Sequence, residues 1–394
     1  AAGLLLGAAG RGEGRRCPAS SASASPPSSV AAAAIAPSRP NRRGEASTPH
    51  TVPWHLLRTS APLPAEFVTH RLKSCDSVRR LLQLHEEHAD GFNAYHASAL
   101  WSRAGRLAFS EPSERDWALR NEGSAFGAVR VATAALSPQM SGRNVANVSY
   151  GIWRAGLGQS DAWQPLWSSL AASALSCADT LGTADSLQLT RAFGPLDAAG
   201  EVAVADVLTA VAKRLCDAPA GGRPLLAAAP SHELVGIASA FASALPQHGV
   251  GWVCAPLATE AARRRTELRP WQLGRLSLAL SRLGEPLAAD AEDLADEICT
   301  RIRHFGAREL AFLSASLSPG PSPPRLFAAV AAHAAATARS LDSIALAALA
   351  TAFAQAPEYA GGVAGPARGA AAAAPGAAAA AAASSIGGGG GIGG

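Results

Sequence analysis

The sequence predicts an all-α fold: a right-handed α-solenoid of about seven helix-turn-helix repeats, with a period near 38 residues and disordered termini. Three observations predict it. One eight-residue phrase recurs along the chain, a second apolar-periodic segment lies between its copies, and no stretch shows the sustained two-residue alternation of a sheet. An irregular helical bundle without true repeats is the competing architecture.

The phrase reads aliphatic, two variable residues, aliphatic, small, variable, small, then Leu or Phe. Its clearest copies are residues 234–241, 273–280 and 346–353, and weaker copies occupy 93–100, 145–152, 186–193 and 310–317. The small residue before the last apolar one is Ala99, Gly151, Ala192, Ala240, Ala279, Ser316 and Ala352, so successive copies lie 52, 41, 48, 39, 37 and 36 residues apart. With about 3.6 residues per turn, the large apolar and the small positions share one helix face. Small residues let a neighbouring helix come close while large ones fill the groove beside them. No single such helix can bury its face alone, but a stack of them can.

The second helices are expected at residues 163–177, 202–216, 252–263, 290–303 and 325–338. Pro195, Pro219, Gly221, Pro246, Gly284, Pro286, Pro319 and Pro321 punctuate the links, as residues that stop helices and form short turns.

This pattern runs through residues 65–357, the predicted array. Residues 1–50 hold six Arg against two Glu and are rich in Ser, Ala and Pro, the composition of an organellar transit peptide or of a disordered tail. The opening Leu4, Leu5 and Leu6 could also be the remnant of a secretory apolar segment. The only Met is Met140, so we expect a processed or missing N-terminus. Residues 358–394 are Ala and Gly runs without apolar periodicity.

Six cysteines form no CxxC pair, and most sit in apolar-periodic segments, so reduced thiols are expected. No apolar run outside the Ala/Gly tail reaches the roughly 18 residues of a membrane span. The net charge of +4 matches the excess in the first fifty residues; residues 51–357 carry 27 basic and 27 acidic side chains. A neutral array permits a basic stripe without announcing one.

Catalytic motifs are missing: there is no P-loop, GxGxxG, GxSxG or HExxH, and we expect no enzyme, cofactor or small-molecule substrate. His85, His88, His96 and Cys75 have a faint metal-site spacing, but a polar helix end accounts for them and no metal is expected. The acidic group from Asp290 to Glu297 reads as a solvated face, and the sequon Asn147-Val148-Ser149 falls inside a packed helix.

Residues 141–157 (SGRNVANVSYGIWRAGL) and 268–284 (LRPWQLGRLSLALSRLG) resemble the signature helix of octotricopeptide repeats. They are similar also to the helical arrays that precede the RAP domain in organellar RNA-binding proteins. Residues 74–100 resemble the opening hairpin of that group, where Asn93 begins the second helix. The resemblance covers most of residues 72–357. It implies an RNA-binding helical-repeat protein acting in RNA processing, stability, translation or ribosome assembly, in the mitochondrion or alternatively a plastid. The chain departs from the pattern in two ways: no RAP domain follows the array, and several copies lack the usual aromatic and Leu-Gly ending.

Phrase positions 2 and 5, counted from 0, lie three apart and off the buried face. Position 2 is Tyr95, Asn147, Gln188, Gly236, Arg275, Phe312 and Ala348; position 5 is Ser98, Tyr150, Arg191, Ser239, Leu278, Ala315 and Thr351. Asn, Gln and Arg can bond base edges and Tyr can stack, which makes Tyr95, Asn147, Tyr150, Gln188, Arg191 and Arg275 candidate RNA contacts. The basic run Arg263, Arg264 and Arg265, followed by Arg269, Arg275 and Arg282, could grip phosphates, and Arg301, Arg303 and Arg308 could extend it. The expected partner is single-stranded organellar RNA. The alternative is a protein–protein scaffold subunit of a large organellar ribonucleoprotein assembly, with no membrane partner in either case.

Overall fold

The structure, a computed structural model, describes residues 65–196, 203–218, 222–284, 289–317 and 324–355, without the side chains of 65, 245–247 and 289–291. The transit-peptide-like segment 1–50, the tail 358–394 and the predicted link residues Pro219, Gly221, Pro286, Pro319 and Pro321 lie outside them. All described residues belong to one unit.

The fold is all-α, with no strand among the described residues. In chain order the helices are α1 (Ala65–Ser74), α2 (Val78–Glu87), α3 (Ala94–Ser110), α4 (Pro112–Arg120), α5 (Glu122–Ala125) and α6 (Gly127–Leu136). Then come α7 (Gly142–Arg154), α8 (Gln164–Ser176), α9 (Thr183–Phe193), α10 (Val204–Cys216), α11 (Leu225–Ala228) and α12 (Ser231–His248). The last six are α13 (Cys254–Arg263), α14 (Pro270–Arg282), α15 (Ala289–Arg301), α16 (Ala307–Leu317), α17 (Pro324–Thr337) and α18 (Ser343–Gln355).

The seven phrase copies fall on α3, α7, α9, α12, α14, α16 and α18, with Asn93 as the N-cap of α3. Each of these helices packs on the next one in the series. The intervening helices form a second row, in which α6, α8, α10, α11, α13, α15 and α17 touch in turn. The second helices predicted at 163–177, 202–216, 252–263, 290–303 and 325–338 correspond to α8, α10, α13, α15 and α17. The wide gap between the first two copies holds three helices that periodicity did not announce, α4, α5 and α6.

One local device starts most phrase helices. A single 3₁₀ turn leads to an apolar residue in extended backbone, then to the N-cap; the apolar residues are Phe92, Met140, Leu181, Leu268, Phe305 and Leu341. Phrase position 0 lies five residues further on in all but the first copy, the spacing of a hydrophobic staple. Asn93 Oδ1 accepts from the backbone N–H groups of Tyr95 (3.0 Å) and His96 (3.1 Å), and Asp342 Oδ1 accepts from Ala345 (2.7 Å). Side chains three residues into the helix return the favour: Asp185 accepts from the Gly182 N–H at 3.2 Å and Gln272 from the Arg269 N–H at 2.8 Å. These bonds occupy donors that a helix start otherwise leaves open.

The core is one hydrophobic cluster from Val68 to Leu349. The small residue before the last apolar one is buried in every copy, from Ala99 to Ala352. Where two of the helices meet closest, Gly105 of α3 faces Gly151 of α7: a Cβ on Gly151 would collide with the Trp101 carbonyl, and one on Gly105 with the backbone of Gly151. Beside this contact lie the fully buried rings of Trp101, Phe126 and Trp163. Trp101 Nε1 donates to Thr133 Oγ1 at 3.0 Å, which satisfies its one polar atom.

The last copy departs from the rest. Position 0 is fully buried in Val145, Ser186, Leu234, Leu273 and Leu310, yet Leu346 is 46% exposed and Ile344 beside it 37%. Among the described residues, no later phrase helix covers α18.

Candidate functional site

Successive phrase helices pack side by side, and positions 2 and 5 of neighbouring copies meet at Asn147–Ser98 and at Gly236–Arg191. Asn147 and Tyr150 of α7 and Gln188 of α9 border one cleft of about 160 Å³, together with Ser102, Arg106 and Arg154. Three of the predicted RNA contacts are therefore brought together. Asn147 Nδ2 donates to Ser98 Oγ at 3.3 Å, which joins position 2 of one copy to position 5 of the copy before it. Gln188 Oε1 is buried and has no hydrogen-bond partner. Tyr150 stacks on Trp153 with centroids 5.3 Å apart and planes 26° apart. The cleft thus combines amide groups, an aromatic ring and two guanidiniums, Arg106 and Arg154; the latter lies 4.5 Å above the Phe109 ring. Arg106 and Arg154 escaped the sequence reading because they lie beyond the phrase, at positions 13 and 9 counted from its start.

Not every position 2 and 5 residue reaches such a surface. Tyr95 stands alone at 71% exposure, whereas Ser98 and Gly236 are buried and Ser239 donates to the Val235 carbonyl of its own helix. The expectation that both positions lie off the packed face fails at Ser98, which meets Asn147 of the following phrase helix, and at Gly236, which packs against Leu187 and Arg191 of the preceding one.

The basic run at 263–265 is placed differently from the sequence expectation. Arg264 is buried: its guanidinium donates to the Ala229 carbonyl and to Ser231 Oγ (2.7 Å), and pairs with Glu260 and Glu267. Arg263 makes a two-pronged pair with Glu260, at 2.9 and 2.5 Å, and Arg265 pairs with Asp293 at 3.5 Å and donates to the Ala262 carbonyl. Local carboxylates therefore neutralise this run, and Arg264 is a structural residue rather than a surface cation. The acidic stretch is solvated as expected, and it supplies one carboxylate to the run, Asp293 against Arg265; Asp296 meets Arg325 of α17 instead.

Other arginines are not neutralised. Arg191, Arg275, Arg282 and Arg308 have no ion pair among the described residues, whose ion pairs involve other cations. Burial and the nearby guanidiniums of Arg191 and Arg308 hold the Arg275 pKa below its ordinary value. Arg282 is exposed at the end of α14.

A larger hollow of about 570 Å³ opens beside α3 and α4, lined by Arg103 and Arg106 and by Asp76, Glu111 and Glu114. Two of these residues have structural duties: Glu114 accepts from the Val78 N–H at 2.7 Å and Arg103 donates to the Cys75 carbonyl at 2.6 Å.

The histidines with metal-like spacing are separated by their roles. The buried His85 ring meets Phe92 edge-on at 4.6 Å, His88 contacts Arg71, and His96 Nδ1 accepts from the Asn93 N–H at 3.3 Å. No group of three or more possible metal ligands occurs among the described residues. Ser149 of the sequon is fully buried. No described helix is long and apolar enough to cross a membrane. Comparison of the chain with known protein families and with curated proteins finds no match.

Proposed function

We propose that the helices form a right-handed α-solenoid of about seven repeats that binds single-stranded RNA along the face carrying phrase positions 2 and 5. The observation that supports this most is the cleft where Asn147, Tyr150 and Gln188, from two successive phrase helices, meet Arg106 and Arg154. Amides can bond base edges, a tyrosine can stack on any base, and guanidiniums can hold the backbone. Likeness to octotricopeptide repeats and the basic, Ser-rich first fifty residues favour an organelle, the mitochondrion before the plastid. The test is fluorescence anisotropy of labelled single-stranded RNA titrated with the full chain, beside duplex RNA. Preferential binding of the single strand that weakens with salt is expected; no binding at low salt would end the reading.

A specific observation favours a second reading, a protein scaffold in an organellar ribonucleoprotein. The last two copies carry Phe312, Ala315 and Ala348 at positions 2 and 5, and α18 exposes Ile344 and Leu346. Partners that stay attached to the native protein after ribonuclease treatment, and are lost on Ile344→Asp and Leu346→Asp, would establish it.

A further inference from the structure

We propose that Arg191, Arg275 and Arg308 form a second site on this face, one that seats backbone phosphates of the bound RNA strand; the proposal rests on the RNA reading above. Three observations converge on it. The first is placement. Arg191 sits at position 5 of α9, Arg275 at position 2 of α14, and Arg308 near the start of α16. Between α9 and α14 lies α12, which carries Gly236 at position 2. A Cβ there would come within 3.3 Å of Arg191 Nη2, so the missing side chain leaves room for that guanidinium. Phe312 supports the other end, with the Arg308 guanidinium 5.7 Å over its ring.

The second observation is charge. Arg275 feels both other guanidiniums, and none of the three has a carboxylate at ion-pair distance among the described residues. Glu309, next to Arg308 in sequence, turns toward its own helix start, where its Oε2 would lie 2.9 Å from a Cβ on Gly306. Arg214, Arg263, Arg264, Arg265, Arg301 and Arg325, by contrast, each meet a carboxylate or a carbonyl. Like charges gathered without counter-charge repel, and an anion relieves that repulsion while accepting charge-assisted, two-pronged hydrogen bonds.

The third is spacing. The three residues span the contacts from α9 through α12 and α14 to α16, and packed helices stand about 8–10 Å apart. One phosphate cannot reach across that distance, whereas a chain of phosphates can. Asn147, Tyr150 and Gln188 precede this cluster along the same row of phrase helices, so one strand would meet amides and a ring first and guanidiniums after them.

The experiment measures the affinity of the full chain for a labelled oligouridylate over a range of salt concentrations. The variants are the triple Arg191→Gln, Arg275→Gln, Arg308→Gln; Arg308→Gln alone, which changes only an exposed side chain and keeps the test valid if the triple variant misfolds; and the control Arg263→Gln, Arg265→Gln. Each single-strand phosphate contact contributes about 0.7 to the slope of log affinity against log salt. The triple variant is expected to lower that slope by about 2, Arg308→Gln by about 0.7, and the control to leave it unchanged. Unchanged slopes in the triple variant and in Arg308→Gln, with the wild type still binding, would overturn the phosphate assignment alone. Failure of the wild type to bind would overturn the RNA reading and this site with it.

Discussion

Arg301 Nη1 donates to the carbonyl of Leu268, 33 residues back, at 2.7 Å. Arg264 bears the same relation to Ala229. Both arginines lie four residues before the apolar residue that opens the next phrase helix, and both reach back to the residue in that place in the previous hairpin. Arg214 and His333 reach the corresponding carbonyls of Leu181 (3.1 Å) and Phe305 (3.0 Å) from other positions. These carbonyls belong to the extended residue between a short helical turn (3₁₀ before Leu181, Leu268 and Phe305, α11 before Ala229) and an N-cap, where no helix ladder satisfies them. The side chain of the following hairpin does so, and this contact fixes one hairpin on the next.

Arg264→Ala leaves a buried carbonyl without its donor and Glu260 without part of its counter-charge. A loss of about 2–4 kcal/mol is expected, with Arg301→Ala costing less because its side chain is partly exposed. Hydrogen exchange should show it first in α12 to α15, since repeats in such arrays interact with their neighbours. RNA affinity of the folded fraction should stay unchanged. Weakened binding at full stability would instead return Arg264 to the interface.

Gly151→Ala tests the close approach of α3 and α7. Its methyl group would meet the Trp101 carbonyl, so the two backbones must separate and loosen the ring cluster beside them. Overpacking of this kind costs about 1–3 kcal/mol. Gly123→Ala, where nothing lies within 4 Å, is the matched control and should be neutral. Equal melting temperatures for the two variants would refute the contact.

The first hairpin should carry a pH dependence. Burial lowers the pKa of His85, and burial with the Arg71 charge lowers that of His88, both from an ordinary value of 6.5. Each binds its proton less readily when folded. The stability they lend is therefore present above pH 6.5 and is lost as pH falls through their folded values. His85→Phe, which keeps a ring against Phe92, should flatten the fall in urea midpoint between pH 7 and pH 5. An unaltered pH profile in that variant would show that His85 does not titrate with folding.

The helix register was legible from the phrase because burial imposes the same spacing on the five central copies; Leu234, Leu273 and Leu310 are fully buried at position 0 as that spacing requires. The joints were less legible. Leu181, Leu268 and Phe305 look like ordinary apolar residues in sequence, and only their place between turn and cap gives them a role. The candidate site was half legible: periodicity found Asn147, Tyr150 and Gln188, since it reports which face a residue occupies. It could not report which arginines have carboxylate partners. Arg263, Arg264 and Arg265 are conspicuous as a run but meet Glu260, Glu267 and Asp293, and two of those pairings join residues within one helix turn. Arg191, Arg275 and Arg308 are scattered over 118 residues of sequence and converge only through helix stacking.

Tyr150 gives the sharpest test of the cleft. Its ring is half-buried and stacked on Trp153, which holds it in one orientation and leaves its remaining surface at the cleft. An aromatic side chain that stacks on a base contributes about 1–3 kcal/mol to single-strand binding. Tyr150→Ala should therefore weaken RNA binding by about 5- to 150-fold, while Tyr150→Phe keeps most of the affinity. Because stacking involves no phosphate, the salt slope should not change in either variant, in contrast to Arg308→Gln. Asn147→Ala and Gln188→Ala should alter preference among homopolymers more than total affinity, since amides read base edges. Full affinity in Tyr150→Ala, with base preference also unmoved in the two amide variants, would show that RNA does not enter this cleft.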